Sequence, residues 1–170
     1  SGISIRGCLR IPDPLKAACP FPLHIESINV TSPGEAPHPL MTWGDLGYGQ
    51  PWTPVRDPMK LARDPMSGYV VLENGRVDGE WLMIESSPPT DGGIELRHDD
   101  PIVAKCTPYD GVVQGAGIGK PGQSDCHRSV VTSGYGLDYR FFSDRRVPKR
   151  DEIEALDYEI VAALDSWRCE

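Results

Sequence analysis

The chain has 170 residues, enough for one domain and one core. Its 25 acidic and 17 basic residues give a net charge of −8, which removes the basic footprint that nucleic acids and anionic lipid surfaces require. The 17 prolines and 18 glycines exceed ordinary usage and predict many turns, short strands and long irregular connections.

Before residue 31, the pattern offers two apolar runs. Ile3-Ser4-Ile5 is short. Leu23 to Val30 alternates for eight residues and reads as a strand. Pro12, Pro14, Pro20 and Pro22 forbid a regular element between them. Residues 31–68 read as an irregular, loop-rich segment that holds Trp43, Tyr48 and Trp52. Arg56-Asp57-Pro58-Met59 recurs as Arg63-Asp64-Pro65-Met66. Asp-Pro signals a turn or a helix start, so one short helix over Pro58 to Arg63 is expected.

Residues 69–142 read as a β-meander. Tyr69 to Glu73, Gly79 to Glu85, Ile94 to Arg97 and Ile102 to Cys106 are its first strands. Asn74-Gly75 is a hairpin signal between the first two. Residues 107–128 read as a second glycine-rich loop, and residues 129–142 return to strand, with Gly134 to Phe142 alternating as a strand with one wet face. Ser143 to Pro148 breaks the pattern. Ile153, Leu156, Ile160, Leu164 and Trp167 then recur at helical spacing, which predicts a helix over 149–168 with Pro148 in its first turn. Asp151, Glu154, Asp157 and Asp165 fall on its outer face, either a solvated surface or an acidic contact surface for a basic partner. The sum over 1–170 is an α+β domain: a mainly antiparallel β-sheet with long Pro/Gly loops and one long C-terminal helix packed on it.

The five cysteines contain no C-x-x-C spacing, so the common zinc and thioredoxin-like motifs are absent. Two local pairs suggest themselves, Cys8–Cys19 and Cys106–Cys126, each closing a Pro/Gly-rich loop. Cys169 is left over. The pairs point to an oxidising, exported location; the alternative is five buried thiols in a reducing one. Ser1-Gly2 reads as a cleavage scar, from which an export signal would already be gone. No stretch approaches the roughly 18 apolar residues of a membrane helix, so no direct insertion is expected. Asn29-Val30-Thr31 matches a glycosylation acceptor, a motif short enough to arise by chance.

The chemical motifs weigh little. Gly117 to Gly122 matches G-x-G-x-x-G, but Pro121 interrupts and a strand rather than a helix follows, so a loop tip is the better reading. Cys126 and His127 are adjacent, and adjacent strand residues point to opposite faces, which spoils a nucleophile–base dyad. The four histidines with Glu95, Asp99 and Asp100 show no metal-ligand spacing, and His98 to Pro101 reads as a turn. Glu73, Glu80, Glu85 and Glu95 could face one another as paired carboxylates, but exposed glutamates on a half-solvated sheet are ordinary. Neither a metal nor a cofactor is expected, and no catalytic residue is assigned.

The run Gly136-Leu137-Asp138-Tyr139-Arg140-Phe141, the proline break, Asp151-Glu152-Ile153 and Ile160 to Trp167 together resemble the closing strand and helix of periplasmic immunity proteins of bacterial type VI secretion systems, the lipase-immunity class in particular. The resemblance covers about 35 residues. It implies a periplasmic or secreted protein that occludes the active site of a cognate toxin. Such an inhibitor needs a protruding loop on a rigid scaffold. The 107–125 loop tied at its base by Cys106–Cys126 has that form, with Gln114, Ile118, Lys120, Gln123 and Ser124 as contacts. Trp43, Tyr48 and Trp52 offer a second contact loop. The alternative is an extracellular carbohydrate-binding or hydrolytic domain that uses those three aromatics for stacking.

Overall fold

A computed structural model describes residues 23–31, 61–73, 79–85, 96, 100–110 and 121–166. In β1, only the side chains of Ile28 and Val30 are described. Seven strands form one sheet: β1 (Leu23–Thr31), β2 (Leu61–Arg63), β3 (Val70–Glu73), β4 (Trp81–Ile84), β5 (Ile102–Pro108), β6 (Ser124–Thr132) and β7 (Tyr135–Ser143). Their spatial order is β1-β7-β6-β5-β4-β3-β2, antiparallel throughout. Thus β2 to β7 run as a meander, and β1 closes the far edge beside β7. Among the described residues one helix, α1 (Arg150–Ser166), crosses one face. The protein is α+β.

The alternation in β7 decides the layering. Tyr135, Leu137, Tyr139 and Phe141 are buried under α1, whereas Gly136, Asp138 and Arg140 stand half-exposed on the other side. Helix residues Ile153, Leu156, Ile160, Val161 and Leu164 meet that row, joined by Ile28, Val71, Met83, Cys106 and Cys126. A second apolar cluster sits on the opposite face of the β3–β4 half: Val70, Leu72, Leu82, Ile84 and Ile102, with Leu61 and Leu96 packed against it. Both faces of β4 are therefore buried, which explains its unbroken apolar run Trp81-Leu82-Met83-Ile84.

Several expectations are corrected. Residues 61–63 are not helical; they pair with Val70 to Leu72 as an edge strand, because the ladder outweighs a weak Asp-Pro helix-start signal. The turn signal at Asp64-Pro65 does operate. Asp64 Oδ2 accepts from the amides of Met66 and Ser67 and from the Ser67 hydroxyl, and Gly68 adopts a positive φ. Residues 129–142 are not one strand but a hairpin. Ser133 (φ 49°) and Gly134 (φ 80°) form the two-residue turn, a left-handed pair that Gly134 accepts without steric cost. The second loop is shorter than 107–128, since β5 reaches Pro108 and β6 begins at Ser124. Asn74-Gly75, Ile94, Glu95, Arg97, Ile3 to Ile5 and Trp167 lie outside the described residues, and Leu96, expected in a strand, carries no strand pairing.

The helix begins one residue later than expected, with Pro148 outside its first turn. Lys149 is the N-cap: its carbonyl accepts from Ile153 N (3.2 Å), and its amide donates to Glu152 Oε2 (2.9 Å). Two arginines then clasp the helix start to the sheet. Arg146 lies over the Trp81 ring (5.2 Å) and pairs with Glu73. Arg150 lies over Tyr69 (4.6 Å) and pairs with Glu85.

Asp157 is the clearest correction on the helix. It is not on the outer face but turned into the sheet, 9% exposed. Arg128 of β6 grips it with both arms of the guanidinium, Nε to Oδ1 at 3.1 Å and Nη2 to Oδ2 at 2.6 Å. Tyr139 donates to the same Oδ1 (2.6 Å), and Arg128 Nη1 donates to Val103 O (2.8 Å). Sequence periodicity places Asp157 beside Leu156 without revealing that a buried arginine awaits it.

Burial raises the Tyr139 phenol well above its ordinary range, with the charge of Asp157 adding to the effect. Burial also pushes Tyr69 up to about 12, against the opposing pull of Arg150 and Arg128. Both phenols therefore hold their protons in the folded chain at a pH where the unfolded chain has released them, near 10. Their contribution to stability is complete below about pH 10 and declines as pH rises from there, that of Tyr69 being lost through about 12. Urea denaturation between pH 9 and 12 is expected to show this decline, and Tyr69→Phe to make it shallower. A variant that declines as steeply as the native chain would show that Tyr69 does not contribute.

Candidate functional site

The β5–β6 hairpin carries residues 111–120 at its end, and its base is the best-anchored feature that the expected contact residues share. Cys106 and Cys126 stand directly opposite in the ladder, Cα atoms 4.1 Å apart, and form a disulfide with both residues fully buried. The Cys106 sulfur also touches Met83 Sδ at 3.8 Å; being oxidised, it has no proton to donate, so this is packing rather than a hydrogen bond. Beyond the disulfide, Thr107 pairs with Asp125 and Pro108 with Ser124. Past the strand ends, Tyr109 N donates to Gln123 O (2.8 Å) and Gly122 N to Tyr109 O (3.1 Å).

Side chains then fasten this base to its surroundings. The Tyr109 ring meets Phe142 edge-on at 4.9 Å. Gln123 Nε2 donates to Asp144 Oδ1 (2.6 Å), and Ser124 Oγ to Arg146 O (3.3 Å). Behind Pro108, Gly79 passes so close that a Cβ there would lie 3.1 Å from the proline ring. The hairpin base is thus held by a covalent bond, by β7, by the segment leading to α1 and by the approach to β4.

Two expected contact residues change role here. Gln123 (5% exposed) and Ser124 (4%) do not stand at a tip but are buried at the base, spending their polar groups on Asp144 and Arg146. The strands extend further than the glycine content suggests, because cross-strand pairing captures residues of neutral propensity. Gln114, Ile118, Lys120, Trp43, Tyr48 and Trp52 lie outside the described residues, as do Cys8, Cys19 and Cys169. Tyr109, Phe142 and Asp144 do much of the anchoring and carried no sequence signal as site residues. Only the second phenylalanine of Phe141-Phe142, out of phase with the alternation, could have marked a contact on the open face.

That open face, opposite α1, carries a cross-strand row. Lys105, His127 and Arg140 are direct neighbours on β5, β6 and β7. Each of the three has a carboxylate beside it: Glu80 at 3.5 Å from Lys105, Asp138 at 2.8 Å from His127 Nε2, and Asp125 held by Arg140, with Nε to Oδ1 at 2.6 Å. Arg140 also lies over the Phe142 ring (5.5 Å).

Ser129, His127 and Asp138 share the face, a composition suggestive of a hydrolytic triad. Yet Asp138 occupies Nε2, and among the described residues Ser129 makes no hydrogen bond to the ring. The His127 side chain is 41% exposed, whereas acyl transfer needs a water-excluding wall and oxyanion donors around its nucleophile. Cys126 and His127 do point to opposite faces. The carboxylates considered as an acid–base pair are each engaged: Glu73 with Arg146, Glu85 with Arg150 and Glu80 with Lys105. Glu80, expected to be exposed, is buried (8%), and Glu95 lies outside the described residues. Among the described residues, no three His, Cys, Asp or Glu side chains converge as metal ligands, and no helix is long and apolar enough to cross a membrane. The disulfide is compatible with an oxidising compartment.

No family model, no curated protein and no solved structure matches this chain.

Proposed function

We propose that the protein is a protein-binding inhibitor, an immunity protein that neutralises a cognate secreted toxin in the periplasm by occluding its active site. The observation that carries this reading is the hairpin base, where the Cys106–Cys126 bond, the Tyr109–Phe142 contact and the Gln123–Asp144 bond hold the two strands that residues 111–120 connect in sequence. Such investment in anchoring a loop has a physical return. A loop whose ends are held loses less conformational freedom when it enters a cleft, so more of the contact energy appears as affinity. The sequence resemblance to type VI immunity proteins and the net charge of −8, which complements a basic contact surface, agree with it.

The test is co-expression with the toxin encoded beside the gene, followed by calorimetry. Binding in the nanomolar range is expected. Replacement of residues 112–119 by a Gly/Ser linker is expected to weaken it by about 30-fold or more, the ~2 kcal/mol of a binding hot spot. A folded linker variant that binds as tightly as the native chain would remove the loop from the interface. Failure of any neighbouring toxin to bind would overturn the reading as a whole.

A further inference from the structure

Strand β6 pairs with β7 along its whole length, Ser124 to Thr132, but with β5 only from Ser124 to His127. Parity identifies the backbone groups this leaves over. Tyr109 N donates to Gln123 O, so odd-numbered residues of β6 aim their N–H and C=O at β5 and even-numbered ones aim theirs at β7. Asp125 and His127 meet Thr107 and Lys105. Ser129 and Val131 come next in the same series, and neither is paired with a strand on that side among the described residues.

The gap has a cause in β5. Met83 pairs with Ala104 and Ile84 with Ile102, so Val103 is an extra residue, a bulge that twists the start of β5. The Val103 carbonyl receives the Arg128 guanidinium instead of a strand amide. Arg128, fixed by Asp157, thereby closes the gap toward the helix. On the other side it is accessible: Val131 is 43% exposed, and the Ser133-Gly134 turn beyond it is exposed too.

We propose that the Ser129–Val131 edge of β6 is a docking site for an extended segment of a partner protein, which adds a short strand through main-chain hydrogen bonds. Two outward-facing residues present two donors and two acceptors at strand spacing, and another extended backbone is the group that complements all four. The edge also lacks the usual protection. It has no proline or outward lysine, and Arg128, its one cation, is turned into the core. The neighbouring side chains define the segment's chemistry, with an apolar residue beside Val131 and a polar one beside the His127–Asp138 pair. This site lies at the opposite end of the β5–β6 pair from residues 111–120 and does not depend on the inhibitor reading.

Amide hydrogen exchange of the free protein is the first test. Ser129 and Val131 are expected to exchange about 100-fold faster than Arg128 and Val130, whose amides bond to β7. Equal protection would mean that the edge is already paired within the chain, and overturns the proposal. The second test selects random decapeptides on the protein. Enriched peptides are expected to slow exchange at Ser129 and Val131. They should also bind Val131→Pro about tenfold more weakly or worse, since proline removes an outward N–H and no β6–β7 bond. No enriched peptide, or peptides that bind the proline variant equally well, overturns it. If that variant fails to fold, exchange on the native chain with peptide bound decides the matter: no slowing at those two amides overturns the proposal.

Discussion

Arg128→Ala is expected to destabilise the protein by about 3–5 kcal/mol, and Asp157→Ala by a similar amount. Each side chain is nearly enclosed, with exposures of 11% and 12%, and the partner left behind would be a buried charge without its counter-ion. Burial opposes the charge on Arg128, yet the hydrogen bond to Asp157 and the neighbouring Tyr139, Asp157 and Tyr69 groups together outweigh it and hold the guanidinium more firmly protonated than usual. The loss would not stop at the pair. Without Arg128 the Val103 carbonyl loses its donor, and without Asp157 the Tyr139 hydroxyl loses its acceptor. Tyr139→Phe, which removes one hydrogen bond and leaves the ion pair, should cost about 1–2 kcal/mol. Urea denaturation measures all three. The informative control is Arg128→Met with Asp157→Leu, which should cost far less than either alanine change, because an apolar pair leaves no orphaned charge. If the double variant is as damaged as the singles, steric fit rather than charge governs this junction. The stakes are large, since a small domain has about 5–15 kcal/mol in total.

Removal of the Cys106–Cys126 bond is expected to cost about 3 kcal/mol by the chain-entropy estimate for its 20-residue separation. Cys106→Ala with Cys126→Val keeps the site apolar and tests the covalent constraint. Its urea midpoint should fall to that of the native chain under reductant, and reductant should leave the variant unchanged. Equal midpoints for the native chain with and without reductant would show that the ladder alone holds β5 to β6. A large effect is expected because that ladder is short: four residue pairs join β5 to β6, against nine between β6 and β7. The bond therefore sits at the step where the nine-pair β6–β7 ladder gives way to four-pair ladders through β5, β4 and β3. If residues 111–120 make the inhibitory contact, the same variant should weaken toxin binding while the fold persists.

The parts of the molecule legible in advance share one property: their evidence is local. The alternation of β7 and the helical spacing of Ile153, Leu156, Ile160 and Leu164 each arise from burial of one face of one element. The Cys106–Cys126 pair was legible because its two members are near in sequence and flank a loop that cannot stabilise itself. The parts misread depend on a partner from elsewhere. Leu61 to Arg63 became a strand because Val70 to Leu72 offered it a ladder. Gln123 and Ser124 became buried anchors because Asp144 and Arg146 follow β7 past them. Gly134 was read as the start of a strand when, with Ser133, it is the turn between two.

Composition and period alone determined that this is an acidic α+β protein with a sheet first and a helix last, because charge count and burial rhythm need no knowledge of neighbours. Only the tertiary structure decided which polar groups are spent on the fold. Asp157, Arg128 and Glu80 look like surface charges in sequence; in space Asp157 and Glu80 are buried and the Arg128 side chain is nearly enclosed. Ser129 and Val131 look like ordinary strand residues and border a gap. The reason is that a polar group's role depends on what lies within about 3 Å of it. Arg128 and Asp157, separated by 29 residues along the chain, meet only when the helix crosses the sheet.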